Sequence, residues 1–146
     1  MFRKRYTATK IIYEKNINTF MKILICGDRN WTNEQTIIDH LFPFVMDRPT
    51  IIHGNAKGAD TIGGAVAESY GLKVIRKRAD WAKHKKSAGP IRNRELLKMK
   101  PDLVLAFHND IENSKGTKDM ITIAKKAGIE VRVIKHWWNE IESDIK

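Results

Sequence analysis

Ile51-Ile52-His53-Gly54-Asn55-Ala56-Lys57-Gly58-Ala59-Asp60 runs from a strand-length apolar segment through a glycine-flanked loop straight into a helix. This junction decides the fold class. A short apolar run ending in a loop that opens a helix is the β–loop–α step of a parallel sheet, and such a loop can present backbone N–H groups to an anion. It is not a Walker A loop: the spacing is one residue short, and the lysine precedes the second glycine. It is not GxGxxG either.

The same alternation extends in both directions. Strand-length apolar runs occur at 22–26, 50–53, 73–76, 102–107 and 130–134, and their near-continuous character suits strands covered on both faces. Between them lie helical stretches. Thr32 and Gln35 form a capping box before Ile37, Ile38 and Leu41, and Pro43 ends that helix. Residues 59–70 put Ile62, Ala65 and Val66 on one face, with Gly71 as a stop. Pro90 suits the first turn of a third helix reaching about Met99, and a fourth covers about 117–127, with Gly128 beyond it. Gly63 and Gly64 weaken the second helix by up to ~1 kcal/mol each, which implies close packing there. Five strands with helical crossovers make an α/β, doubly wound parallel sheet with helices on both faces.

A chain of 146 residues with 42% hydrophobic content forms one domain with a real core. No apolar run approaches the ~20 residues of a membrane span. The single cysteine, Cys26, excludes an internal disulfide framework and any multi-cysteine metal site, which points to a reducing, cytoplasmic setting. No metal site is expected, since no histidine pair has helical i, i+4 spacing. The net charge of +10 favours anionic partners. Residues 1–20 carry five basic side chains and one acid without a continuous apolar segment, and read as a flexible basic extension, or as sequence upstream of a natural start at Met21, not a secretory signal. The domain is expected over 21–135. A tail over 136–146 would carry Trp137 and Trp138 on a short helix.

In an open α/β sheet the ligand crevice lies at the carboxyl ends of the strands, so the loops after the strands carry the candidates. After the first strand, Gly27 allows a tight exit and Arg29 offers a planar fork for phosphate or carboxylate. The second loop supplies Gly54, Lys57, Gly58, Ala59 and Asp60, where Asp60 either caps the helix or meets ligand. The third stretch, 76–94, holds eight basic residues against one acid. Its Gly89-Pro90-Ile91-Arg92-Asn93-Arg94 segment places two arginines in a first helical turn, where they oppose the dipole by ~0.3–1 kcal/mol each unless an anion sits there. The fourth loop ends in Lys115, Gly116 and Thr117, a small-residue turn opening another helix. His53 and His108 end strands and read as side chains bonded to backbone. Cys26 reads as a small core residue, and Trp31 and Trp81 as lids over the core.

The order ICGDRNW, IIHGNAKGAD, RADWAKHKKSAGPIRN, LVLAF and SKGTKDM resembles the YspA-type branch of the SLOG superfamily over about residues 21–135. That superfamily also holds the Lonely Guy phosphoribohydrolases and the DNA-processing protein A group. The resemblance implies a Rossmann-like nucleotide-binding domain, with ligand held by the loops after strands one, two and four. Pro90, Arg92 and Asn93 enter the site through its GPIRN element. Arg92 stands where Lonely Guy enzymes carry a catalytic arginine. Their catalytic glutamate falls on Met120, so Asp119, one residue away, is the substitute carboxylate if this chain is an enzyme.

The leading expectation is therefore a sensor or sequestering domain for a nucleotide or nucleotide-derived phosphate. Its alternatives are hydrolysis of the N-glycosidic bond of a nucleoside monophosphate, with Arg92 holding phosphate and Asp119 or Asp60 as the carboxylate, and nucleic-acid binding through 76–94. No cofactor beyond the nucleotide-type ligand and no membrane partner is expected, and a homo-oligomer is compatible with the sequence.

Overall fold

The computed structural model describes residues 21–136. The expectations for the 1–20 leader and for a helix carrying Trp137 and Trp138 fall outside these residues. The chain runs β1 (Lys22–Gly27), α1 (Glu34–Leu41), a 3-10 turn (Phe42–Asp47), β2 (Thr50–His53), α2 (Ala59–Ser69) and β3 (Val74–Arg76). A short α3 (Trp81–His84) and a 3-10 turn (Lys85–Ser87) lead into α4 (Ala88–Lys98). Then come β4 (Leu103–Phe107), a 3-10 turn (Ile111–Asn113), α5 (Gly116–Lys126) and β5 (Glu130–Ile134).

All strand pairs are parallel, in the order β3-β2-β1-β4-β5. The order reverses between β1 and β4, whose register sets Ile23 beside Leu103 and Gly27 beside Phe107. Alternation along the strands divides the core in two. Ile23, Ile25, Leu103 and Leu105 face Ile37 and Leu41 of α1 and Val66 and Ala67 of α2. Leu24, Ile52 and Val104 face Leu96 of α4 and Met120 and Ala124 of α5. The sheet is thus covered on both sides, as its unbroken apolar strands require. Burying each such aliphatic side chain contributes ~1.5–3 kcal/mol.

Local chemistry shifts several boundaries. The cap of α1 is Asn33, not Thr32: Asn33 Oδ1 accepts from Thr36 N at 2.8 Å, while Gln35 donates to Asp39. Ala65 is exposed and Ala67 takes the buried position on α2. α4 begins at Ala88, so Arg92 and Arg94 stand in its second turn, away from the opposing dipole. Trp31 is buried against Phe107, with ring centroids 5.7 Å apart. Trp81 covers no core; it is 51% exposed.

Lys85, exposed between α3 and α4, holds φ +52° and ψ −127°, a conformation suited to glycine. Lys85→Gly is expected to stabilise the domain by ~1 kcal/mol in denaturant unfolding. A loss of stability would show that the lysine side chain anchors this segment.

Candidate functional site

At the reversal of strand order, a crevice of about 390 Å³ opens between the loops after β1, β2 and β4. That volume lies in the range of small-molecule sites. Its floor is apolar, made by Cys26 at the end of β1, Leu96 on α4 and Met120 on α5. Burial pushes the Cys26 thiol up, so it is not a thiolate at neutral pH.

Glycines set the walls. Gly58 has φ +87°, and a Cβ there would stand 2.3 Å from Asp28 O and 2.6 Å from Arg29 O. Its lack of a side chain lets the loops after β1 and β2 touch, and Ala59 N donates to Asp28 O at 3.1 Å. A Cβ on Gly54 would lie 2.7 Å from Arg92 Nη1. Arg92 therefore lies flat against the loop and donates Nη1–H to Gly54 O at 2.8 Å, while its Nε is buried without a partner.

Asp60 ties the second loop to α2. Its Oδ2 accepts from Gly54 N (2.9 Å) and Ala56 N (3.2 Å), so it holds the loop instead of capping the helix. Across the crevice, Ser114 Oγ accepts from Thr117 N at 3.1 Å and closes the first turn of α5. Asn93, buried on α4, donates to Gly116 O (3.2 Å) and Asp119 Oδ2 (3.0 Å), fixing the distance between α4 and α5.

Of the residues singled out by sequence, Gly27, Arg29, Gly54, Asp60, Arg92 and Asn93 line the crevice, as do Lys115, Gly116 and Thr117. Gly58 and Ala59 are buried beneath it, and Lys57 and Pro90 point to solvent. Asp119 is not in the lining; its carboxylate is taken by Asn93 and by Arg94 at 3.4 Å. Its place on α5 turns it from the face that Met120 presents. Sequence reasoning missed the lining roles of Leu96, Asp28, Asn113 and Ser114. Helical spacing from Arg92 to Leu96 was the available signal for the first. His108 lines the crevice and accepts from Asp110 N at 2.9 Å. His53 does not line it; it lies buried, accepting from Asn55 N, with Nε2 against Gly64.

The model of the YspA, cpYpsA-related SLOG family matches residues 21–84. The Gene 61 protein of Mycobacterium phage D29 is 36% identical over 118 residues, which span 75% of this chain and 93% of that protein. The chain belongs to the YspA, cpYpsA-related SLOG family. Its fold is shared with DNA processing protein A (DprA) from Streptococcus pneumoniae, at TM-score 0.61 and 18% identity over 78% of this chain and 50% of that one. This SLOG chain thus spans about half the length of that structure.

Two buried groups of this SLOG domain titrate in opposite senses. Burial raises Asp60 from 3.8 to about 6, although the Ala56 and Gly54 N–H groups and Arg92 pull it down. Burial, with Arg76 and Arg92 nearby, lowers His53 from 6.5 to about 4. Folded Asp60 holds its proton more tightly than unfolded. Its stabilisation is full below 3.8 and lost as pH rises through about 6. His53 contributes fully above 6.5 and loses that contribution as pH falls through about 4. The two slopes oppose each other. Asp60→Asn removes the first and keeps an acceptor, so its stability relative to wild type should rise by up to ~3 kcal/mol between pH 4 and 7. Denaturant unfolding at four pH values checks this, and a flat difference would mean that Asp60 is not raised.

Proposed function

We propose that this domain binds a nucleotide or nucleotide-derived phosphate in the crevice between β1 and β4, as a sensor or sequestering module. The observation that carries the reading is the convergence of cations on one apolar-floored cleft. Arg29 and Lys115 stand on its rims, with no ion pair among the described residues, and Arg92 lies in its wall. The first turn of α5 faces the same space through Gly116 and Thr117, and the positive end of the helix dipole favours an anion there. The apolar floor suits a base or ribose, and the cationic rims suit phosphate.

Hydrolysis of an N-glycosidic bond is the second reading, and Asp60 is the observation in its favour. It lines the crevice beside Arg92, and its carboxyl is raised to about 6, the range of a general acid or base. Of the two carboxylates offered for that role, Asp60 and not Asp119 is the one this reading uses. Incubation with nucleoside monophosphates and a search for released base separates turnover from binding.

Salt separates either reading from nucleic-acid binding through the basic 76–94 stretch. A nucleotide in a preformed crevice makes few charged contacts and is expected to stay bound from roughly 50 to 200 mM salt. Charge-driven DNA binding falls ~10³-fold or more over that range. Calorimetry with nucleoside monophosphates at both salt levels is the test. Tight nucleic-acid binding at the higher salt, uncompeted by nucleotide, would move the functional surface to 76–94.

A further inference from the structure

On the far side of Arg92 lies a second cavity, of about 290 Å³, that the crevice reading does not use. One wall comes from the segment joining β3 to α3, with Lys77 and Arg78, and from α3 itself, with Lys83 and His84. The other comes from α4, through Ala88, Ile91, Arg92 and Glu95. Two lysines and two arginines, Lys77, Lys83, Arg78 and Arg92, thus face two carboxylates, Asp80 and Glu95.

One carboxylate is ion-paired and the other caps a helix. Glu95 pairs with Lys77 at 3.0 Å, and Asp80 Oδ1 accepts from the Lys83 backbone N–H at 3.1 Å as the cap of α3. Arg78 meets a neutral acceptor: Asn55, with its amide turned to suit, accepts from Arg78 Nη2 (3.0 Å) and Nε (3.2 Å). Lys83 has no ion pair among the described residues. Arg92 spends Nη1 on Gly54 O and keeps a buried, unpartnered Nε. Two lysines and two arginines against two carboxylates leave this concave site two positive charges in excess.

The geometry points to a second oxyanion site in this cavity, taking a phosphate group held by Arg78 and Lys83 and sharing Arg92 with the crevice. Arg78 supplies the planar fork and Lys83 a mobile point charge. The phosphate is either a second group of the crevice ligand or a free ion. Only the first case rests on the nucleotide reading.

The test titrates the full chain with inorganic phosphate and follows backbone amides by NMR. Saturable shifts over residues 77–84 and 88–92 are expected, with affinity at least tenfold weaker in an Arg78→Ala/Lys83→Ala double variant. Absence of saturable shifts in wild type, or equal affinity in the folded double variant, overturns the site. Two further arms identify the source. A nucleoside 3′,5′-bisphosphate binding at least tenfold tighter than the 5′-monophosphate, with Lys83→Ala removing that gain and sparing the monophosphate, assigns the second phosphate to the same ligand. Phosphate shifts that persist under saturating monophosphate, without a bisphosphate gain, assign it to a free ion. If neither nucleotide moves residues 27–29 and 115–117, the crevice reading fails, and the phosphate titration still decides the second site.

Discussion

Arg92→Ala is expected to weaken nucleotide binding by ~2–5 kcal/mol, the loss typical of removing one member of a buried charge pair. The side chain bridges two elements: it leaves α4, lies on the glycine surface at Gly54 and donates to that carbonyl at 2.8 Å. Truncation removes a cation from the crevice wall and a strut under the loop after β2. Lysine should not restore affinity, because a point charge on a flexible stem cannot hold a carbonyl and a phosphate with one planar group. Calorimetry on wild type, Arg92→Ala and Arg92→Lys, with near-UV circular dichroism to confirm folding, checks this. Unchanged affinity in a folded Arg92→Ala protein would remove Arg92 from the site.

Gly58→Ala should be the most damaging single methyl in the described residues outside the strands. The added Cβ meets backbone atoms, Asp28 O at 2.3 Å and Arg29 C at 2.6 Å, which cannot swing away as a side chain would. The φ of +87° adds a strain that alanine does not tolerate. Together these should cost at least ~2 kcal/mol of stability. Ligand affinity should fall as well, since the displaced backbone carries Arg29. Gly116→Ala is the control: nothing lies within 4 Å of its Cβ position, and it should stay within ~0.5 kcal/mol of wild type. A denaturation midpoint for Gly58→Ala equal to that of wild type would mean that the loops after β1 and β2 do not touch.

The fold was legible because its strands are buried on both faces and its helices carry end signals. Ile51, Ile52 and Leu103 to Phe107 are apolar without alternation, and only a covered parallel sheet accommodates them. Boundaries were less legible where two residues compete for one role. Thr32 and Asn33 are both good caps, and the second takes the role, its Oδ1 accepting from Thr36 N. The small residues Ala88 and Gly89 carry no start signal, yet α4 begins there and moves Arg92 into the second turn.

Side-chain direction set the limit on reading the site. Sequence placed Asp60 at a helix start but could not show that its carboxylate turns back onto Gly54 and Ala56. It placed Asp119 one residue from Met120, and that one residue turns the carboxylate to Asn93 and Arg94 while Met120 takes the floor. The difference between Trp31 and Trp81 was equally hidden. Each follows a charged loop, but only the loop after β1 leads back over Phe107.

Native mass spectrometry of the purified full chain, before and after denaturation, tests the central claim most directly. A non-covalent nucleotide-type mass is expected on the folded protein, absent after denaturation and diminished in Arg92→Ala. A folded wild-type protein that carries no such mass, and gains none from a panel of nucleoside mono- and bisphosphates at 200 mM salt, would contradict it.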